Sequence, residues 1–361
     1  NPSLVGSEMC IRDRAYTDID DPSDYFIPKL YTGTGSSNAI TGVGFQPDWV
    51  WIKSRSDALS HATFDSVRGV TKVLVMNATT AEYTNTDTLT AFGTDGFTVG
   101  SNTGVNTNTA TRVAWNWKAG TSFTNDASST SIGTIDSTGS VNTDAGFAII
   151  SYTGTGSAET IAHGLGTTPA LIISRKRSDS GSWFFWNKSF SATQYLSMDT
   201  TNAVGAASSV FGTLPTSTVY STGGGNGTGA SSDTFISYLF AEKKGYSKFG
   251  SYKGTNNANG TFVYTGFSVG WVMIKNTDTS GTAWVIQDSK RSSSGGGNQA
   301  DKRLRANASN AEETDSPVDL LSSGFKIRST GSFTSDANTF IYMAFSENPF
   351  VTSSGISTTG R

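Results

Sequence analysis

Apolar residues along the chain fall into short runs separated by clusters of Gly, Asn, Ser, Thr and Asp. Such runs, rich in Val, Ile, Trp, Tyr and Phe, are typical of β-strands, because branched and aromatic side chains fit a pleated surface. Phe97 and Val99 flank a polar Thr98, and residues 325–327 repeat this alternation, so one face of each strand is expected to point inward. No stretch has a convincing 3.6-residue period with helix caps. The pattern therefore predicts an all-β chain.

One set of landmarks occurs three times along the chain. Residues 31–53, 152–175 and 252–275 each begin with a tyrosine and a glycine-containing stretch, and each ends on a basic residue after an apolar run. A further apolar strand closes each copy, at residues 113–117, 236–240 and 340–345. Because the spacing is too regular for chance, we interpret the copies as homologous units.

These landmarks predict three tandem antiparallel β-sandwich modules of the jelly-roll or concanavalin-like type. The predicted boundaries are an N-terminal arm at 1–24, module 1 at 25–119, a linker at 120–145, module 2 at 146–245, module 3 at 246–350 and a C-terminal tail at 351–361. The 120–145 segment is rich in Ser, Thr and Gly, which is typical of a linker or a loosely held strand pair.

Residues 3–14 differ in composition from the rest of the chain. Their back-translation resembles the transposase adapter used in sequencing libraries, so we interpret them as a translated artefact and exclude them from the fold. Cys10, the single cysteine, lies within this segment. The remaining chain is then expected to have neither a disulfide framework nor a cysteine nucleophile.

Charge and hydropathy narrow the classes of partner. Charged residues make up 15% of the chain, its formal net charge is −3, and Gly contributes 40 residues. No basic surface is therefore predicted to attract a phosphate backbone, which argues against nucleic acid as a partner. No apolar run reaches the length of a membrane-spanning helix, so no membrane insertion is predicted.

Candidate catalytic residues are few and scattered. His61 and His163 lie in different copies of the pattern, and neither accompanies a nucleophile motif. Glu312, Glu313 and Asp315 form the closest carboxylate group, but they lie in a segment that resembles a loop. We therefore predict a protein that is not an enzyme and has no catalytic residues, with a glycan-cleaving depolymerase as the alternative.

Neither a cofactor nor a metal site is predicted. Loops such as 85–87, with Asn85 and Asp87, could ligate calcium through their oxygens, although no complete twelve-residue calcium loop is present. Asn and Asp in turns more often accept a hydrogen bond from their own backbone. Calcium therefore remains the one alternative.

Aromatic side chains are the main candidates for ligand binding, because Trp and Tyr rings stack on sugars. Trp49 and Trp51 lie two residues apart, and the pair at 115 and 117 repeats this spacing. At the places of Trp49 and Trp51 the second copy carries Leu171 and Ile173 and the third carries Trp271 and Met273, so these positions are apolar in every copy. We interpret these four tryptophans as core residues. Trp183 and Trp186 flank two phenylalanines and are expected to be partly exposed.

Two Asp–Arg pairs recur at the same spacing. Asp65 with Arg68 in the first copy corresponds to Asp288 with Arg291 in the third. An ion pair that holds a strand end to a turn would explain this recurrence, and contact with a ligand is the other interpretation. The candidate ligand-binding residues are accordingly Trp183, Trp186, Asp65, Arg68, Asp288 and Arg291.

The repeated landmarks resemble a tandem-repeat family of tailed-phage virion proteins with concanavalin-like domains. The resemblance rests on the tyrosine-led starts, on residues 45–53, 65–69 and 96–100, and on the ending 342–350. It implies a place in the extracellular phage particle, as a lectin-like tail fibre or a capsid decoration, and it supplies no catalytic residues. The partners it implies are other virion proteins and host-surface polysaccharide, and a homo-oligomer is compatible with it. Host adhesion by carbohydrate binding is the leading hypothesis, and the depolymerase and a purely structural spacer are the alternatives.

Overall fold

The computed structural model describes residues 16–292 and 298–358. The segment 3–14 and Cys10 lie outside the described residues. In the described ranges, helix is limited to α1 (Thr103–Asn106), α2 (Ala127–Thr130) and a 3-10 turn at Pro22–Asp24. None of these helices is long and apolar enough to cross a membrane. Strands in antiparallel sheets dominate, which confirms the predicted all-β class.

The strands fall into three consecutive groups, which we call the first, second and third repeats. The first repeat contains β1 (Phe26–Thr32), β2 (Asn38–Ile40), β3 (Trp49–Ser54), β4 (Ala62–Asp65), β5 (Lys72–Val75), β6 (Tyr83–Thr84), β7 (Leu89–Gly93), β8 (Gly96–Val99) and β9 (Thr111–Trp117). The second contains β10 (Thr121–Asn125), β11 (Ser137–Asn142), β12 (Phe147–Thr153), β13 (Glu159–Ala162), β14 (Leu171–Lys176), β15 (Trp183–Asn187), β16 (Gln194–Ser197), β17 (Gly205–Ala206), β18 (Val219–Thr222) and β19 (Thr234–Phe240). The third contains β20 (Ser247–Lys253), β21 (Phe262–Tyr264), β22 (Phe267–Asn276), β23 (Val285–Asp288), β24 (Gln299–Arg305), β25 (Glu313–Leu321), β26 (Gly324–Ile327) and β27 (Thr339–Pro349).

The first repeat is a sandwich of two sheets. The larger sheet has the order β1-β9-β3-β4-β5-β6, and the smaller has the order β2-β8-β7. Val50, Ile52 and Phe64 of the larger sheet pack in one apolar cluster with Phe97 and Val99 of the smaller sheet. The alternation at residues 97–99 thus buries the side chains that the sequence pattern selects.

In the second repeat the segment 120–145 belongs to the sheet. Strands β10 and β11 extend an eight-stranded sheet of order β10-β11-β12-β19-β14-β15-β16-β17, and β13 pairs with β18. β11 pairs with β12 over residues 138–142. The segment is therefore a strand pair, and a free linker is the wrong one of the two interpretations, because its backbone groups complete the sheet's hydrogen bonds.

The third repeat forms one continuous sheet of order β20-β27-β22-β23-β24-β25-β26-β21. The nine-residue strand β25 pairs with β24 at residues 313–314 and 318–319, and with β26 at residues 318–321. Glu313 and Asp315 are thus strand residues, which corrects the expected loop around Glu312. A register shift lies between Ala300 and Lys302, and residues from both halves of the sheet pack in one apolar cluster.

The main sheets are buried on both faces. In β3, Val50 and Ile52 point into the sandwich of the first repeat, whereas Trp49 and Trp51 join a second cluster. That second cluster, which we call the central core, contains residues of all three repeats. The tryptophans are core residues as predicted, but they fill the space between repeats.

Three aromatic rings mark the middle of the central core. Trp117 and Phe240 are the last residues of β9 and β19, and Phe345 occupies the equivalent register in β27; their partners in the neighbouring strands are Trp49, Leu171 and Trp271. The ring centroids of Trp117, Phe240 and Phe345 are 6.4, 5.7 and 5.6 Å apart, within the range of favourable aromatic contacts. The three repeats therefore surround one aromatic centre.

Candidate functional site

The first predicted Asp–Arg pair lies in the turn that follows β4. Arg68 donates its backbone N–H to Asp65 Oδ1 at 2.8 Å, and its Nε donates to Asp65 Oδ2. The other two guanidinium nitrogens of Arg68 donate to the Thr63 carbonyl and to Glu82. Both side chains of the pair are fully buried, so neither faces solvent. The ion pair holds a strand end to a turn, as the structural interpretation requires.

The second pair has the same geometry in the third repeat. Arg291 donates its backbone N–H to Asp288 Oδ1 at 3.0 Å and its Nε to Asp288 Oδ2 at 2.7 Å. Glu312 takes the place of Glu82, since Arg291 NH1 donates to it at 3.1 Å. This pair is also fully buried. The recurrence in sequence therefore reflects one repeated buried cluster.

Each cluster also receives hydrogen bonds from a neighbouring repeat, which the sequence did not reveal. The Tyr238 hydroxyl donates to Asp65 Oδ2 at 2.6 Å, and the Trp115 indole donates to Asp288 Oδ2 at 3.0 Å. Tyr238 and Trp115 occupy equivalent positions in β19 and β9. Burial and the adjacent Asp65 raise the pKa of the Tyr238 hydroxyl well above its usual value. The hydroxyl therefore remains a proton donor.

Arginines from the neighbouring repeat complete both clusters. Arg177 binds Glu82 through two hydrogen bonds of 3.0 Å, and Arg55 binds Glu312 through two of 2.9 and 2.8 Å. Partial burial raises the pKa of Glu82, but the hydrogen bonds from Arg177 and the charge of Arg68 outweigh it, so the pKa of Glu82 is lowered. Glu312, the leading carboxylate of the depolymerase alternative, is engaged by arginines in this way.

The third contact between repeats has uncharged residues at these places. The Val204 backbone N–H donates to the Thr277 carbonyl at 2.8 Å, as Glu82 N–H does to Arg177 and Glu312 N–H to Arg55. Asn187 pairs with Leu171 at the position that Asp65 and Asp288 occupy in the other repeats. The first–second, third–first and second–third contacts, which we call junctions, thus share one backbone pattern.

A ring N–H donor crosses each junction at one equivalent place. Trp183 Nε1 donates to the Val75 carbonyl at 2.8 Å, and Trp284 Nε1 donates to the Ser197 carbonyl at 3.2 Å. His61 Nε2 lies 3.0 Å from the Arg305 carbonyl. Each acceptor residue occupies the same register in its own repeat. The three repeats therefore close a ring through three equivalent contacts.

The predicted exposure of Trp183 and Trp186 is wrong. Their relative exposures are 0% and 3%. Trp183 lies in the first–second junction, and Trp186 Nε1 donates to the Ser191 carbonyl at 3.1 Å within its own repeat. Neither ring offers a face for stacking on a sugar, because both faces are covered by protein.

Both histidines are buried and neutral. Trp51 Nε1 donates to His61 Nδ1 at 2.8 Å, so the proton of His61 resides on Nε2. Burial, with the nearby charge of Lys53 as a second cause, holds the pKa of His61 well below its usual value. Burial also lowers the pKa of His163 to about 4. The ring nitrogens of both histidines form hydrogen bonds with other groups of the protein.

The described ranges contain no group of three or more His, Cys, Asp or Glu residues that could hold a metal ion. In the turn considered for calcium, the Asp87 backbone N–H donates to the Asn85 side chain at 3.0 Å. This is the local bond that Asn favours in turns.

The best candidate for contact with a ligand is a cleft between the N-terminal arm and the link from the second to the third repeat. Its volume is about 440 Å³. Tyr16 and Tyr264 line it and are 63% and 60% exposed. The charged residues that line it are Asp18, Glu242, Lys243, Lys244 and Lys248. We call this feature the tyrosine cleft.

The arm and a tight turn fix one side of the tyrosine cleft. Tyr246 and Ser247 both donate their backbone N–H groups to the Lys243 carbonyl, at 3.1 and 3.0 Å. The arm is tied to this turn in both directions: Asp18 N–H donates to the Lys244 carbonyl, and Lys244 N–H donates to the Asp18 carboxylate, each at 3.0 Å. These bonds place Tyr16 beside the two lysines.

Tyr264 enters from the edge of the third sheet. It ends β21, where it alternates with the exposed Phe262 about a buried Val263. Gly266 has a φ of +84°, which lets the chain turn at once into β22 without steric strain. The backbone N–H groups of Thr265 and Gly266 both donate to the Ser323 carbonyl, so the base of the tyrosine is held in place.

Sequence reasoning missed this cleft. The alternation of Phe262 and Tyr264 about Val263 is a signal for two exposed rings on an edge strand. Tyr16 carries no such signal, because the adjacent Thr17 is bonded to Lys244, which lies 227 positions further along the chain. The cleft therefore emerges only from the fold.

One family matches the chain, and it is described as Domain of unknown function (DUF7483), over residues 21–349. No curated protein and no solved structure matches.

Proposed function

We propose that this chain, which belongs to the DUF7483 family, is a non-enzymatic structural protein of a phage virion that contacts host-surface glycan. The observation that carries the proposal is the tyrosine cleft, where Tyr16 and Tyr264 are each more than half exposed. Exposed aromatic rings at an open cleft are suited to sugar rings, which present apolar C–H faces between polar hydroxyls. A tail fibre or a capsid decoration would carry such a cleft toward the host.

The use of charged groups inside the fold supports a scaffold role. Asp65, Arg68, Asp288 and Arg291 are buried in junctions, and His61 binds a carbonyl across the third–first junction. Buried ion pairs of this kind fix geometry, since each partner is costly to leave unpaired. A rigid ring of repeats would present the cleft in one orientation.

Binding to a panel of bacterial surface polysaccharides tests the glycan contact. We expect the full chain to bind at least one polysaccharide, and Tyr264→Ala to weaken that binding about tenfold or more, as expected for an interfacial aromatic anchor. Tyr83→Ala is the matched control, because Tyr83 is 43% exposed and lies outside the cleft. Silence across the panel would favour the structural spacer.

Two further measurements test the rest of the proposal. Antibodies against the chain should label purified phage particles that carry its gene, and unlabelled particles would contradict a virion role. Incubation with the bound polysaccharide should release no reducing ends. A release that disappears in Glu313→Gln would support the depolymerase instead.

A further inference from the structure

The tyrosine cleft carries an excess of positive charge that its own carboxylates do not neutralise. Lys243, Lys244 and Lys248 form no salt bridge with any residue in the described ranges. Glu242 is already engaged, since its Oε1 lies 2.6 Å from Lys188 Nζ and accepts the Phe249 backbone N–H at 2.9 Å. The three ammonium groups are therefore available to an anion.

The second carboxylate of the cleft has a structural role. Asp18 Oδ2 accepts the Lys244 backbone N–H at 3.0 Å. This bond directs one carboxylate oxygen at the turn. The Lys244 ammonium group remains at the exposed end of its side chain.

This charge stands out in a chain whose formal net charge is −3. A cleft of similar size, about 470 Å³, runs along β11 and β12 and is lined by Asp136 with no lysine or arginine. Positive charge is thus concentrated at the place where two exposed tyrosines also lie. A concave site with an excess of one sign of charge, here three lysines against Asp18 and Glu242, raises the local concentration of oppositely charged ligands.

The backbone that carries Lys243 and Lys244 is also held in place. The turn 243–246 is closed by two hydrogen bonds to the Lys243 carbonyl, and the N-terminal arm covers it. Gly245 has a φ of +77°, and a Cβ there would lie 1.7 Å from Thr17 Oγ1. The arm therefore approaches the turn as closely as only glycine permits, which keeps the backbone of Lys243 and Lys244 fixed.

We propose that the tyrosine cleft binds an anionic polysaccharide, with sugar rings on Tyr16 and Tyr264 and the anionic groups at Lys243, Lys244 and Lys248. This rests on the proposed function and adds the class of glycan to it. Carboxylate and sulfate groups share the charge that the lysines recognise. The ring faces distinguish a sugar polymer from other polyanions.

The test compares four polymers with the full chain by biolayer interferometry. Polygalacturonate supplies carboxylates on sugar rings, dextran sulfate supplies sulfates, dextran is the neutral sugar polymer, and polyglutamate carries carboxylates without sugars. We expect at least one of the two anionic polysaccharides to bind, at least tenfold more tightly than dextran and polyglutamate. Binding should weaken as salt is raised, because exposed charges are screened.

A triple variant, Lys243→Gln with Lys244→Gln and Lys248→Gln, should weaken binding of the anionic polysaccharide about tenfold, as a few exposed ion pairs would. The matched control replaces Lys29, Lys72 and Lys302 with Gln. These three residues lie outside the cleft, and their replacement makes the same change in net charge. Lys244→Gln alone serves as the second variant, since Lys244 is exposed and its loss leaves the fold intact.

The outcomes separate this inference from the proposed function. Equal binding of dextran, or equal losses in the cleft and control variants, would overturn the anionic preference and leave glycan binding in place. Equal binding of polyglutamate would overturn it as well, because the rings would then contribute nothing. Silence toward these polymers and toward the whole polysaccharide panel would overturn the proposed function itself.

Discussion

The buried cluster at the first–second junction should make the chain sensitive to a single neutralised carboxylate. Asp65 accepts hydrogen bonds from the backbone and Nε of Arg68 and from the Tyr238 hydroxyl. Asp65→Asn removes the fully buried carboxylate of the pair, and Arg68 then keeps only its ion pair with the partly buried Glu82. Removing one partner of a buried ion pair costs about 3 to 5 kcal/mol, and because Glu82 stays in place we expect the lower end of this range.

The assay is chemical denaturation followed by tryptophan fluorescence, since the aromatic core reports on the packing of the repeats. Asp65→Asn should lower the free energy of unfolding by about 3 kcal/mol or more. The control is Asp319→Asn, whose ion-pair partner Arg328 is 40% exposed, so its loss should cost less than about 1 kcal/mol.

A double-mutant cycle shows whether the effect crosses the junction. Tyr238→Phe removes only the hydroxyl that reaches Asp65 from the second repeat. In the presence of Asp65→Asn its effect should shrink, giving a coupling of about 0.5 to 3 kcal/mol. A loss below about 1 kcal/mol for Asp65→Asn, or additive effects in the cycle, would refute the reasoning.

Two further perturbations follow from the same structure. Burial lowers the pKa of Lys275 to about 8, so between pH 8 and the unfolded value near 10.5 the unfolded chain binds more protons and stability rises with pH. From pH 7 to 9.5 the parent should gain up to about 2 kcal/mol more in unfolding free energy than Lys275→Met, and equal pH dependence would contradict this. Gly245→Ala should release the arm, seen as faster amide exchange around Thr17, because its Cβ meets Thr17 Oγ1. The control is Gly166→Ala, because Gly166 also has a positive φ but a Cβ at this position has no neighbour within 4 Å. If Gly166→Ala speeds amide exchange around residue 166 as much as Gly245→Ala does around Thr17, backbone strain alone accounts for the result.

Much of the fold could be predicted from the sequence because strand signals are local. Alternation at residues 97–99 selects the buried side chains Phe97 and Val99, and the repeated landmarks place corresponding strands in each repeat. The continuous apolar run at 49–52 also signals a strand buried on both faces, which is a known pattern for covered sheets. What covers the outer face is set by contacts far apart in the chain, which local patterns do not encode.

The candidate site could be predicted less well for the same reason. The spacing of Asp65 and Arg68 correctly indicates an ion pair, but the hydroxyl that completes it lies 173 positions away, on Tyr238. Trp183 resembles an exposed ring in sequence, yet its indole bonds a carbonyl in another repeat. Asp65, Arg68 and Trp183, which the sequence suggests as ligand-binding residues, instead form contacts at the junctions.

Hydrogen exchange at the indole N–H groups tests the closed ring of repeats most directly. Trp183 and Trp284 donate across two different junctions, whereas Trp186 donates within its own repeat. We predict that all three indole protons exchange only through global unfolding, with one common free energy of opening. Exchange of Trp183 and Trp284 at a much lower free energy than Trp186 would show that the repeats separate independently, and would contradict the account.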